Sequence, residues 1–316
     1  MLTKLSKNIL STIIYYDILD YPMTAFEVWK YLTSADGRES EENESDVIGL
    51  GEVVRALEGE ELEERIEKFQ GFYFLRGRMS LVEKRLEKNK ISQQKFKIIR
   101  RVIFWLRFLP YVRMVAVTGT VAMKNAGKNS DLDLLVVIRH GRIFFGRTAV
   151  TALVHLMGKR RYGRKITDRI CLNCFLTDDS LESRLQDIFS ASEYSFIVPL
   201  FGQIIFAEFK HKNNWIKKFK INFHPEEMIG LKALCDAGKA KMARGIMEKF
   251  FNWKVFDFLE SWLEKWQTER IARDPRTKED GSIIMADSEA LIFFHHAHSL
   301  EMDKLFQKRL SEVVFE

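Results

Sequence analysis

Cysteine is scarce. There are three in 316 residues, Cys171, Cys174 and Cys235. They cannot build a disulfide framework in a chain of this size, and a reducing, cytoplasmic setting is expected. With only 5 prolines and 17 glycines, low-complexity and collagen-like segments are excluded. Long apolar runs are also missing. The best candidate, Ile98 to Val117, is broken by Arg100, Arg101, Arg107 and Arg113, so no bilayer span and no membrane partner is expected. The apolar run after Lys4 and Lys7 stops at Asp17 without a small-residue cleavage site, which argues against a signal peptide. What remains is 46% hydrophobic and 30% charged. That composition excludes a wholly disordered chain, and the length suits two or three domains.

The formal net charge of +6 is unevenly spread. Residues 1–80 carry 9 Lys/Arg against 16 Asp/Glu, residues 81–169 carry 21 against 5, and residues 170–316 carry 20 against 23. The basic character therefore belongs to the middle, where an anionic partner is expected.

Four regions follow from the pattern. Residues 1–80 read as helices and then a small hairpin, Ile66–Phe69 and Phe72–Leu75. Thr24 is the expected N-cap of the second helix, with Glu27 completing a capping box. A very acidic loop, Asp36 to Asp46, precedes a third helix over 47–57. Three helices and a hairpin resemble a winged helix in their order, but the net acidity opposes DNA binding. Residues 82–108 read as a long basic helix ended by Pro110. Residues 111–180 alternate short apolar runs with helical stretches, which suggests a small mixed sheet. Residues 181–316 read as mostly helical. Met242 to Trp266 is the clearest helix, its aromatics expected to pack inward, and Arg273 to Gly281 is a polar loop before a final helix containing His295, His296 and His298.

The informative stretch runs from Met114 to Ile138. A short strand leads into Gly119-Thr120, where a close backbone approach and a hydroxyl suit a phosphate. Ser130 then precedes Asp131-Leu132-Asp133, which opens the apolar run to Ile138. On a strand, Asp131 and Asp133 share a face, and two adjacent carboxylates repel unless a cation sits between them. Hard oxygen donors favour Mg²⁺, which also binds polyphosphate. The stretch Arg139 to Arg169 holds nine Lys/Arg and one acid, Asp168. It reads either as a solvated helix face or as an electropositive wall for triphosphate or RNA. Cys171-Leu-Asn-Cys174 has CxxC spacing, but alternation turns the thiols to opposite faces, so zinc is not expected.

Gly119-Thr120, ten residues, then Asp131-Leu132-Asp133 inside an apolar strand resembles the nucleotidyltransferase superfamily with the DNA polymerase beta-like fold, especially its minimal forms. Ala122, Ala126 and Ser130 fall where those forms commonly carry such residues. The resemblance covers about residues 112–177. It implies an α+β chain: a nucleotidyltransferase core flanked by a winged-helix-like domain and a helical C-terminal region. It also implies transfer of a nucleoside monophosphate from a nucleoside triphosphate to an acceptor, with RNA or protein as possibilities. Asp131 and Asp133 would be the catalytic metal ligands, for Mg²⁺ or Mn²⁺. Gly119, Thr120, Ser130, Lys124, Lys128, Arg142 and Arg147 would hold the nucleotide. There are departures. Thr120 stands for serine, Met123-Lys124 stands for an Arg-Gly pair, and the later strand has Asn173 where an acid is usual. Asn173 offers a carbonyl oxygen to a metal but no carboxylate as base. A second reading follows, a regulatory protein that binds nucleotide or RNA on the same fold without turnover.

Overall fold

A computed structural model describes residues 2–35, 48–226, 233–236, 238–275, 282–295 and 297–314. The acidic loop Asp36 to Asp46, His296 and most of the polar loop before Gly281 lie outside the described residues. The chain is α+β, and no helix among the described residues is long and apolar enough to cross a membrane.

The N-terminal part contains α1 (Lys4–Ile18), β1 (Met23–Thr24), α2 (Ala25–Lys30), α3 (Leu50–Leu57), α4 (Glu60–Glu63), β2 (Ile66–Phe69) and β3 (Phe72–Leu75). The three strands form an antiparallel sheet in the order β1-β3-β2. The Thr24 hydroxyl accepts the Glu27 N–H while Glu27 accepts the Thr24 N–H, so the expected capping box is present. It satisfies two backbone donors that helix geometry leaves without partners.

Helix α5 (Ser80–Leu106) runs 27 residues and buries Phe96, Ile99, Val102, Ile103 and Leu106. It leads to the central sheet, built from β4 (Val112–Val117), β5 (Leu132–Ile138), β6 (Ile170–Thr177), β7 (Val198–Phe201), β8 (Ser282–Ala286) and β9 (Ala290–His295). The strand order is β7-β4-β5-β6-β9-β8. Among the described strands of this sheet only β5 and β6 are parallel, joined through α7 (Ile143–Leu156), the crossover that a parallel pair requires. A four-residue turn, α6 (Gly119–Ala122), links β4 towards β5.

Both faces of the sheet centre are covered, which is why β4 and β5 read as nearly continuous apolar runs. Leu132, Leu134, Val136 and Ile138 face the larger core with α5 and α7 residues. Leu135 and Val137 face a smaller core with Phe206 and Phe209. That second layer comes from α8 (Ile188–Ser195) and α9 (Gln203–Lys212). Gly202, at φ +83°, turns the chain so tightly that an added Cβ would lie 2.2 Å from the Arg113 carbonyl oxygen. Alanine does not fit there.

The C-terminal part is mostly helical, but it also contributes strands to the central sheet. Strands β7, β8 and β9 belong to the central sheet, and Phe293–His295 lies in β9 rather than at a helix start. The long aromatic helix is two helices, α10 (Lys239–Phe251) and α11 (Lys254–Ala272), separated at Asn252–Trp253. Its aromatics do not all pack inward: Phe258 is 76% and Trp253 66% exposed. In α11, Leu263 and Gln267 take the buried side, four residues apart, while Phe258, Trp262 and Trp266 form a row with the same spacing on the outer side. Helix α12 (Ala297–Val314) returns to α1, with Phe306 against Tyr15 and Arg309 bonded to Asp17.

Candidate active site

The site forms where β4 ends and β5 begins. The Thr118 N–H donates to the Asp133 carbonyl at 3.1 Å, keeping the two strands paired. Gly119 follows at φ +63°, and an added Cβ would lie 2.8 Å from Asp133 Oδ2. Glycine is therefore required twice over, by the left-handed backbone and by the carboxylate beneath it. Thr120 is exposed at the start of the same turn.

Helix α5 fixes the loop from Met123 to Ser130. The Ala126 N–H donates to Ser92 Oγ at 3.1 Å. Lys95 Nζ donates to the Lys128 and Ser130 carbonyls and to Asp168 Oδ1, at 3.1, 2.9 and 2.6 Å. Ser130 Oγ accepts the Gly127 N–H at 2.9 Å, which ties the hydroxyl to the loop. Asn125 reaches the N-terminal part by donating to the Leu19 carbonyl.

Strand alternation puts Asp133 on the face of Leu135 and Val137, beneath α8. Asp131, Asp133 and Cys171 offer donor atoms that all lie within 4.8 Å of one another. Cys171 gets there because β5 and β6 pair in register at Asp133 and Cys171. Arg161 Nη1 closes the group, 2.5 Å from Asp131 Oδ2 and 3.4 Å from Cys171 Sγ. Burial, and then the neighbouring Asp131 charge, push the Asp133 carboxyl up to about 7. Burial, and then the two aspartates, push the Cys171 thiol up to about 12. Both shifts have the sign that a cation among the three groups would reverse.

Glu193 of α8, which the sequence reading did not single out, lies close by. Burial and then the Asp133 charge raise its carboxyl to about 7, while the Gly119 N–H donates to it and lowers it. No local motif marks Glu193. The fold brings it over the sheet from α8.

The remaining candidates are dispersed. Lys124 is exposed with φ +58°, and its carbonyl accepts from Arg85 at 2.8 Å. Lys128 pairs with Glu87 at 3.2 Å. Arg142 precedes α7, at the opposite end of β5 from Asp133, and pairs with Asp257. Arg147 lies on α7 and donates to Gln267 Oε1 at 2.5 Å. Asn173 lies past Cys171, where the pairing with β5 shifts register, and its buried Oδ1 has no hydrogen-bond partner among the described residues.

No family model, no curated protein and no solved structure matches the chain.

Proposed function

We propose that the chain is a divalent-metal-dependent nucleotidyltransferase whose centre is Asp131, Asp133 and Cys171. The observation that carries the reading is their convergence beneath the Gly119 turn, with donor atoms within 4.8 Å of one another. The donor set suits a divalent cation, which when bound would neutralise triphosphate oxygens and stabilise charge developing at the α-phosphorus. Two carboxylates fit Mg²⁺. A thiol in the third position shifts preference towards Mn²⁺ or Zn²⁺.

The chain's own residues supply the rest. Gly119 and Thr120 lie against the triphosphate, close to Asp133 because no Cβ intervenes. Arg161 adds positive charge beside Asp131 and is free to turn to phosphate when a cation takes its place. In the transfer, an acceptor oxygen bonds to the α-phosphorus, the bond to the β-phosphate oxygen breaks, and pyrophosphate leaves with that electron pair. Glu193, poised near neutrality, receives the acceptor proton. The N-terminal helices and three-stranded sheet form a winged-helix-like module in this reading, serving protein contact rather than DNA.

A specific observation favours the second reading, a nucleotide- or RNA-binding regulator without turnover. Among the described residues, the cluster contains no third carboxylate. One assay separates the two. With Mg²⁺ or Mn²⁺ and each α-labelled nucleoside triphosphate, turnover releases pyrophosphate, and Asp131→Asn or Asp133→Asn reduces it at least a hundredfold. Metal-dependent binding without pyrophosphate release supports the regulator. Release that survives both substitutions refutes the centre.

A further inference from the structure

Strand β9 pairs with β6 only over Cys174 to Leu176. Among the described residues, the earlier part of β6, Ile170 to Asn173, meets no strand on that side except a single bridge from Arg160 to Ile170. The gap opens a cleft of about 700 Å³ between α7, β6 and the end of α11. Its size suits a small molecule rather than a polymer. Arg147, Arg160, Arg161 and Arg270 all line it, and Asp274 is the one acidic lining residue among those described. Cys171 and Arg161 also line it, so the cleft adjoins the aspartate cluster.

Arg161 pairs with Asp131, whereas Arg147 and Arg270 are held in place without carboxylates. Arg147 donates to Gln267, which is itself fixed by donating to the Phe144 carbonyl at 2.9 Å and Thr148 Oγ1 at 3.0 Å. The guanidinium of Arg147 lies 4.9 Å from the Phe293 ring centre, and that of Arg270 lies 5.6 Å from the Trp266 ring centre. Among the described residues, no ion pair engages Arg147, Arg160 or Arg270. Burial, then Arg160 and Arg270, press the Arg147 pKa down to about 10. Crowded, pre-positioned guanidiniums without counter-ions are stabilised by a multiply charged anion, and their planar donors match phosphate. Asn173 lies in the same wall.

We propose that this cleft binds a small phosphorylated molecule through Arg147, Arg160 and Arg270. On the nucleotidyltransferase reading, on which this role rests, that molecule is the acceptor.

The test has two arms. First, inorganic pyrophosphate is titrated calorimetrically into metal-free protein carrying Arg160→Gln, Arg270→Gln, the exposed α12 substitution Lys308→Gln or no change. Arg270 is exposed and its replacement leaves the core intact. Saturable binding is expected, weakened about tenfold by either arginine change and unaltered by Lys308→Gln. Binding that ignores both arginines, or a preference for single-stranded RNA over pyrophosphate, overturns the site. Second, label transfer from nucleoside triphosphates is screened against sugar phosphates and their unphosphorylated sugars. Transfer to phosphorylated members only is expected, with the arginine changes raising the acceptor KM and leaving the nucleotide KM alone. Transfer to uncharged sugars overturns the acceptor role and leaves the nucleotidyltransferase standing. Pyrophosphate binding in the cleft with no transfer at all overturns the nucleotidyltransferase reading and leaves the anion site standing.

Discussion

Asp133 and Cys171 face each other across the parallel pair β5 and β6, in register, one residue before that register shifts. This pairing makes a thiol, rather than a carboxylate, the third member of the cluster. Co²⁺ reports a thiolate ligand by a near-ultraviolet charge-transfer band. The band is expected on adding Co²⁺, lost in Cys171→Ser, with metal affinity falling about tenfold. Cys171→Asp is expected to move selectivity towards Mg²⁺. A band unchanged in Cys171→Ser would remove the thiol from the site.

Gly119→Ala combines a left-handed backbone with a Cβ 2.8 Å from Asp133 Oδ2. We expect a stability loss of about 1–2 kcal/mol, measured by urea unfolding, and weaker divalent-ion binding because the carboxylate must move. A variant of unchanged stability and affinity would show that the turn does not cover Asp133.

In the metal-free protein, the Asp133 carboxyl holds its proton up to about pH 7. In the unfolded chain it ionises near about pH 4. Between these values the folded state binds the extra proton, so this group's contribution to stability is lost as pH rises through 7. Glu193 acts in the same direction. Thermal unfolding at pH 5 and pH 8 should show Asp133→Asn gaining about 2 kcal/mol on the unsubstituted protein over that interval. Added divalent cation should reverse the advantage. A pH-independent difference would contradict the electrostatics.

Lys220 supplies the opposite sign. It is fully buried, donates to Thr33 Oγ1 at 2.9 Å, and lies 4.8 and 4.9 Å from the Tyr15 and Tyr16 ring centres. Burial pushes its pKa down to about 7. Above that value the folded protein binds fewer protons than the unfolded chain, whose lysine titrates near about 10.4. Stability from this group therefore rises with pH from 7 towards 10. Lys220→Met should be relatively most stable at pH 6 and lose that advantage by pH 9.5 in denaturant titrations. An advantage that grows with pH would refute the assignment.

Much of the architecture is legible from local rules. Thr24 and Glu27 announce a helix start, the hairpin at Gly71 shows in its flanking apolar runs, and the Gly119 to Asp133 spacing marks a turn between two buried strands. The failures have physical causes. Ala290-Leu-Ile-Phe-Phe294 is a short apolar run that periodicity alone cannot assign to strand or helix, and its sheet partner lies more than a hundred residues earlier in β6. Cys171 carries no local signal of its place beside Asp133, because counting along a strand does not reveal the pairing or the register shift that follows it. Glu193 reaches the site only through the packing of α8 on the sheet, for which one-dimensional spacing carries no signal.

In the proposed function, Asp131 and Asp133 bind a nucleoside triphosphate through a shared divalent cation. Calorimetric titration of a non-hydrolysable triphosphate, with Mn²⁺ and then with chelator, tests it most directly. One-to-one binding is expected that requires Mn²⁺ and falls at least a hundredfold in Asp131→Asn. Equal affinity with chelator, or in Asp131→Asn, would contradict it.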